Sequence, residues 1–206
     1  MKRFFVLATV IMLALAISVS AEEAAKKGMS FGITGGLSMG NWSGSDADPG
    51  PGFTKKMRVG FAGGVFADFA LGESFALQPQ LLYAQKGVKY DTAGVSETGK
   101  FDYLEIPVLL KWVPVMDGKI QPTIFAGPYL GLLMSAKIEG FDVKDFYKGT
   151  DFGLTFGAGF GSKTTSGELF FDVRMDMGMS KIHDLTPQPN VKNTAFMAMI
   201  GYKFGK

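Results

Sequence analysis

Apolar and polar side chains alternate along this chain with a period of two, and this pattern is repeated eight times. In the first repeat Phe31, Ile33 and Leu37 lie on one face and Thr34 and Ser38 on the other. A period of two is that of a β-strand and not of a helix. The sequence therefore predicts an all-β chain with eight strands, at residues 30–40, 57–71, 75–87, 103–112, 120–133, 151–161, 168–178 and 194–204.

The connections between these strands alternate in length. Short links are expected near residues 72–73, 114–118 and 162–167, and longer polar ones at 41–56, 88–100, 135–150 and 179–193. This order is typical of an eight-stranded antiparallel up-and-down transmembrane β-barrel with both termini and the short turns in the periplasm and the long loops outside the cell. A soluble ligand-binding barrel is the alternative, but its apolar side chains would point inward. The uniformly large apolar face favours the membrane barrel.

The N-terminus has the pattern of an exported protein. Lys2 and Arg3 precede an apolar run over residues 4–19, and small residues follow up to Ala21. This arrangement predicts a cleaved secretory signal peptide at residues 1–21, since the run is shorter than a spanning helix requires. A short periplasmic segment would follow at 22–28, and the barrel domain would occupy 29–206.

Charged residues on the polar face of the strands predict the state of the lumen. If the large apolar side chains face lipid, five basic and five acidic residues point inward, and they can neutralise one another. An eight-stranded barrel is just wide enough for side chains to fill it. We therefore expect a plugged lumen with a charge network of Arg58, Asp68, Lys86, Glu105, Lys111, Glu168, Asp172, Arg174, Asp176 and Lys203.

Aromatic residues near the predicted strand ends match the two interfacial girdles of a membrane barrel. The alternative is that they pack a core. The predicted interfacial set is Trp42, Tyr83, Trp112, Tyr202 and Phe204.

The sequence offers little for catalysis. It has no cysteine and a single histidine, His183, which adjoins Asp184 and lies near Ser180 in the last long loop. Neighbouring residues do not readily align a base with an orienting carboxylate. We expect no catalytic residue, no cofactor and no metal, and the near balance of 21 basic and 19 acidic residues argues against nucleic acid as a partner.

Carboxylates in and beside the long loops leave one alternative open. Asp46 and Asp48, or Asp142, Asp145 and Asp151, could bind Ca²⁺ through hard oxygen ligands. Solvation of the loops is the favoured interpretation.

Three blocks of sequence resemble a known family. They are Tyr103 to Trp112 (YLEIPVLLKW), Phe125 to Leu130 (FAGPYL) and Asp151 to Phe160 (DFGLTFGAGF). In this order they are similar to the recurring blocks of the PorT-like outer-membrane β-barrel family. The resemblance spans roughly residues 28–204, and it implies the outer membrane of a Gram-negative-type envelope and a link to protein secretion. It implies no particular activity.

Together these patterns predict a monomeric, non-enzymatic outer-membrane barrel in contact with outer-membrane lipids and inserted by the barrel-assembly machinery. It would act in envelope structure, in surface binding or as a secretion accessory. A small selective porin is the alternative, and an acyl hydrolase or acyltransferase that uses His183 at the rim is a third possibility.

Overall fold

A computed structural model describes residues 28–48, 50–92 and 94–205. The predicted signal peptide and most of the predicted periplasmic segment lie outside these residues. Eight long strands and one two-residue strand form a single sheet. They are β1 (Met29–Ser43), β2 (Thr54–Ala70), β3 (Phe75–Thr92), β4 (Val95–Trp112), β5 (Ile120–Ile138), β6 (Phe141–Asp142), β7 (Thr150–Lys163), β8 (Gly167–Gly178) and β9 (Lys192–Phe204).

The eight long strands close into a ring. Each pairs antiparallel with its neighbours in the order β4, β3, β2, β1, β9, β8, β7, β5, and β4 also pairs with β5. β1 and β9 meet along a continuous register from Phe31 opposite Phe204 to Ser43 opposite Lys192, so the first and last strands close the barrel. The predicted eight-stranded antiparallel barrel is confirmed. Among the described residues, no helix has the length and apolar character needed to cross a membrane.

The two ends of the barrel differ. We call the end that carries the connections 71–74, 113–119 and 164–166 the turn end, and it also holds both ends of the described chain, Gly28 and Gly205. The opposite end, with 44–53, 139–149 and 179–191, is the loop end. β6 and a single 3-10 turn at Lys144–Phe146 lie within the connection between β5 and β7.

One predicted loop is wrong. The polar stretch 88–100 is not a long loop, because β3 continues to Thr92 and β4 begins at Val95, which leaves a two-residue connection. The two strands pair along their whole length and project beyond the belt of apolar side chains.

The reason for this error is that the alternation reverses its sense along β3. Leu77 and Leu81 face outward and are 36% and 38% exposed, whereas Val88, further towards the loop end, points inward and is 1% exposed. Lys89 beside it faces outward. In the membrane-spanning part the apolar side chains face lipid, and beyond it they face one another inside the barrel mouth.

Candidate functional site

The lumen is the region where the polar faces of all eight strands converge, and a buried lysine lies at its middle. Lys86 on β3 has its Nζ 2.5 Å from Oε1 of Glu105 and 2.9 Å from Oδ2 of Asp176, and all three side chains are buried. Thr155 donates a hydrogen bond of 2.6 Å to the second oxygen of Asp176. The ammonium also lies 4.5 Å from the centre of the Tyr129 ring. Two carboxylates and an aromatic face thus replace the water that a lone lysine would need.

A second ion pair lies nearer the turn end. Arg174 on β8 binds Asp172 through two hydrogen bonds of 2.8 Å from Nε and Nη2, and its Nη1 donates to Gln80 at 2.8 Å. A fork of this kind fixes both partners in one geometry. The Phe125 ring covers the guanidinium at 5.2 Å. A Cβ at Gly157 would lie 2.6 Å from this ring, so only glycine leaves room for Phe125.

The turn end of the lumen is more open. Asp68 lies 3.5 Å from Nζ of Lys111 and 3.8 Å from Nζ of Lys203, and Lys203 lies 2.7 Å from Glu168. These groups border a cavity of about 180 Å³ that reaches the solvent. The rings of Phe66 and Phe170 pack edge to face, with their centres 5.5 Å apart.

The loop end is closed by an apolar cluster, which we call the mouth plug and define as Trp42, Phe101, Tyr147, Ile182 and His183. Trp42 contacts the rings of Phe101, Tyr147 and His183 at 5.3, 6.2 and 5.8 Å. A backbone bridge between Tyr147 and His183 joins the connections 139–149 and 179–191, which contribute these two plug residues and Ile182. Aromatic rings in edge contact at these distances stabilise one another. Buried side chains of the plug fill the mouth of the barrel.

Burial shifts the pKa values of two ionisable side chains in the mouth plug, Tyr147 and His183. Burial raises the pKa of Tyr147 to about 12, so its phenol stays neutral at physiological pH. Burial also lowers the pKa of His183 below its ordinary value of 6.5, because an imidazolium in this apolar contact would lose its hydration.

Asp151 lies between the mouth plug and the charged layers, and the sequence analysis put it at the start of a strand but left it out of the lumen set. It lies on β7, is 1% exposed and points inward. It accepts hydrogen bonds from Tyr129 at 3.1 Å, Ser180 at 2.5 Å and Asn193 at 2.9 Å. The phase of the alternation was the signal that could have identified it, because Asp151 shares a face with Thr155. No group of three or more candidate metal ligands occurs among the described residues.

Arg58 is a correction to the predicted lumen set. Its Nη1 lies 3.6 Å from Asp102, donates to the carbonyl of Lys86, and approaches the outer side of Gly87. Asp102 shares the face of Leu104 and Ile106, which points away from the lumen. The physical reason is a shift of register in β2 between Met57 and Ala62, which displaces the strand so that Arg58 crosses β3.

The other predicted charges lie on the inward faces of their strands. With Arg58 outside and Asp151 inside, the described lumen holds four basic and six acidic side chains. The bases are Lys86, Lys111, Arg174 and Lys203, and the acids are Asp68, Glu105, Asp151, Glu168, Asp172 and Asp176.

Trp42 is a correction to the predicted interfacial aromatics. It is 8% exposed and belongs to the mouth plug, because it lies on the same face of β1 as Ser38 and Gly40. Tyr83 and Trp112 lie on the outer surface, 40% and 41% exposed. Tyr202 and Phe204 pack on each other at 5.2 Å on the outward face of β9.

A serine hydrolase arrangement does not occur in the described mouth. The Ser180 hydroxyl donates to Asp151, while the His183 ring packs on Trp42 and its Nδ1 is buried without a hydrogen-bond partner. Nucleophilic catalysis needs a hydroxyl bonded to a base and a base bonded to an acid. The three residues are not aligned in that way.

Apolar outer walls, a polar lumen and closed strand pairing define this molecule as a β-barrel of the membrane-spanning class. Residues 20–184 match the model of the outer membrane protein beta-barrel domain, and the chain belongs to that family. It is an outer-membrane protein.

Two solved structures have a similar fold. The outer membrane protein OprG from Pseudomonas aeruginosa aligns over 87% of this chain and 98% of its own, with a TM-score of 0.54 and 14% identity. The Neisserial surface protein A (NspA) aligns over 86% of this chain and 99% of its own, with a TM-score of 0.54 and 18% identity. No curated protein sequence matches this chain significantly.

Proposed function

We propose that this protein is a non-enzymatic barrel that does not conduct and that acts in envelope structure or surface binding. One observation carries the proposal, namely that buried side chains fill the lumen at successive levels from the Phe66 and Phe170 pair to the mouth plug. Opening a path would require separating buried ion pairs, which costs several kcal/mol for each charge left unpaired. The outer surface and the loop end of such a barrel would then carry its structural or binding function.

Planar-bilayer recording of the refolded mature protein tests the closed lumen. We expect a flat baseline, with no stepwise conductance at moderate voltage. Trp42→Ala combined with Lys86→Met is the comparison variant, because it weakens the plug and breaks the central ion pair while leaving the outer wall unchanged, and we expect occasional conductance steps from it. Regular steps from the unaltered protein would instead favour the small selective porin, and the acidic excess of the lumen predicts that such a pore would prefer cations.

The PorT-like assignment and a secretion accessory role form a finer part of the proposal. They are supported by the three sequence blocks, in which Glu105, Phe125 and Asp151 lie on inward strand faces and Ile106 and Phe152 lie on the outer wall. Deletion of the gene, followed by comparison of secreted proteins, tests this part. An unchanged set of secreted proteins would remove the secretion role and leave the closed-barrel proposal intact.

We further propose a monomer that the barrel-assembly machinery inserts. The closed pairing of β1 with β9 leaves no free edge in the ring to pair with a second copy. Light scattering with detergent correction is expected to give the mass of one chain.

A further inference from the structure

A band of lysines crosses the outer surface of four neighbouring strands at the loop end. Lys56 on β2 lies opposite Lys89 on β3, and Lys100 on β4 lies opposite Lys137 on β5. Lys89 lies opposite Thr98, two residues from Lys100, so the two pairs are contiguous across the sheet. We call these four residues the basic band.

The side chains of the basic band point away from the lumen. Ala136 and Phe101, which adjoin Lys137 and Lys100, are fully buried inside the barrel mouth, so the lysines beside them face outward. The apolar belt ends at Tyr83 on β3 and Leu104 on β4, the outward pair of Gln85 and Asp102 comes next, and the basic band lies beyond it. At this height the headgroups of a surrounding membrane meet the barrel.

Like charges directly opposite each other on neighbouring strands destabilise a sheet unless a counter-charge lies between them. Asp91 supplies one to the first pair, at 2.6 Å from Lys56 and 3.6 Å from Lys89. Over the residues that the structure describes, no carboxylate lies within ion-pair distance of Lys100 or Lys137.

The acids near this pair have other partners, and Asp102, two residues from Lys100 on the same strand face, lies 3.6 Å from Nη1 of Arg58. Glu139 accepts a hydrogen bond of 2.5 Å from the backbone N–H of Thr98, and Asp142 accepts one of 3.0 Å from the backbone N–H of Lys144. Lys144 adds a further cation, because its Nζ reaches the carbonyl of Met134 on the same wall at 3.4 Å. Asp142 on β6 lies opposite Lys137, but the Lys100 and Lys137 pair has no direct ion-pair partner among the described residues.

The opposite wall has a different border. On β1 the outward residues beyond the apolar belt are Asn41 and Ser43, and on β9 they are Thr194 and Lys192. Positive charge at headgroup height is thus concentrated on the β2 to β5 side. A general attraction to an anionic membrane would not need this one-sided arrangement.

We propose that the basic band, centred on Lys100 and Lys137, is a binding site for the phosphate groups of anionic lipid in the membrane leaflet at the loop end. The lysines take the phosphates, and the apolar wall below, at Leu104 and Leu132, takes the acyl chains. The lipid phosphate supplies the direct ion-pair partner that Lys100 and Lys137 lack, and it fixes the orientation of the barrel relative to bound lipid. This site is independent of whether the lumen conducts.

Native mass spectrometry of the full barrel tests the site. The protein is released from vesicles that contain phosphatidylcholine with a minor fraction of diphosphorylated lipid A, and the retained lipid is counted. We expect enrichment of lipid A on the unaltered protein. Lys100→Gln together with Lys137→Gln is expected to lower the ratio of bound to free lipid A by about 30-fold, since each basic residue near a lipid surface contributes roughly a factor of five.

The matched control is Lys119→Gln together with Lys163→Gln, which removes the same charge at the turn end. Heat-dependent gel migration establishes that both double variants form the barrel. Equal retention by the unaltered protein and the band variant would overturn the proposal, as would an equal loss in the turn-end control. A soluble sulfated oligosaccharide that binds the band as well as the lipid does would overturn it too, because the band would then recognise polyanions and not a lipid.

Discussion

The middle of the barrel and its loop end are built in opposite senses from one continuous set of strands. Around Lys86 the inside is charged and the outside is apolar, whereas at the level of Trp42 the inside is apolar and the outside is polar, with the basic band on the β2 to β5 side. The change occurs within β3, between Tyr83 and Val88. The surroundings of each strand segment, lipid or water, therefore determine which face must be apolar, while the backbone pairing is the same in both.

The largest expected effect comes from removing the cation at the middle. Lys86→Met leaves Glu105 and Asp176 buried without a counter-charge, and breaking a buried pair in this way costs about 4 kcal/mol. Urea unfolding of the barrel in phospholipid vesicles, followed by tryptophan fluorescence, measures the change in the free energy of unfolding.

A variant that removes all three charges separates the effect of charge from that of packing. Lys86→Met with Glu105→Gln and Asp176→Asn leaves no unpaired charge, and we expect it to recover most of the lost stability. If the single and triple variants are equally unstable, the loss arises from packing around residue 86 and not from charge.

The second effect concerns the mouth plug. Trp42→Ala removes the ring that contacts three other plug residues, and truncation of a large buried aromatic costs about 3 kcal/mol. Because the plug lies beyond the membrane, the loss is expected at the loop end, as faster proteolysis within 139–149 and 179–191. Trp112→Ala is the matched control, since Trp112 lies on the outer wall at the turn end. Faster loop cleavage in both variants would show that the plug does not act as a separate unit.

The sequence predicted the barrel well because the alternation is strong wherever strands meet lipid. It predicted Lys86, Glu105, Asp172 and Arg174 on the inner face for the same reason, since a charged residue within an alternating strand has only one favourable side. The 88–100 region was missed because Val88 and Phe101 face inward there, which inverts the pattern. Arg58 was misplaced by a shift of register, and such a shift leaves no mark on the alternation.

Partners across the lumen could not be predicted either. Lys86 meets Asp176 and Arg174 meets Gln80 through the closed ring, at separations of 90 and 94 residues. Strand phase gives the side on which a residue lies, but the height at which two strands align depends on the register of every pair between them. Trp42 was assigned to the membrane interface because it is aromatic and lies near a strand end. Continuing the alternation of β1 by two residues would have put it on the inward face with Ser38 and Gly40.

The smallest expected effect is a dependence of the mouth plug on pH. Burial lowers the pKa of His183, so the closed plug keeps the imidazole neutral while the opened loop accepts a proton near pH 6.5. The stability that the neutral ring contributes is complete above pH 6.5, and it falls as the pH drops below that value, because the open form then binds more protons. Loop-specific proteolysis between pH 7.5 and 5.5, with cleavage rates corrected for the protease's own pH profile, is expected to accelerate towards the acidic end. His183→Gln cannot titrate in this range, so its cleavage is expected to stay constant. An acceleration of equal size in that variant would show that groups other than His183 cause it, namely carboxylates of the barrel. The mouth plug would then not respond to pH separately from the middle of the barrel.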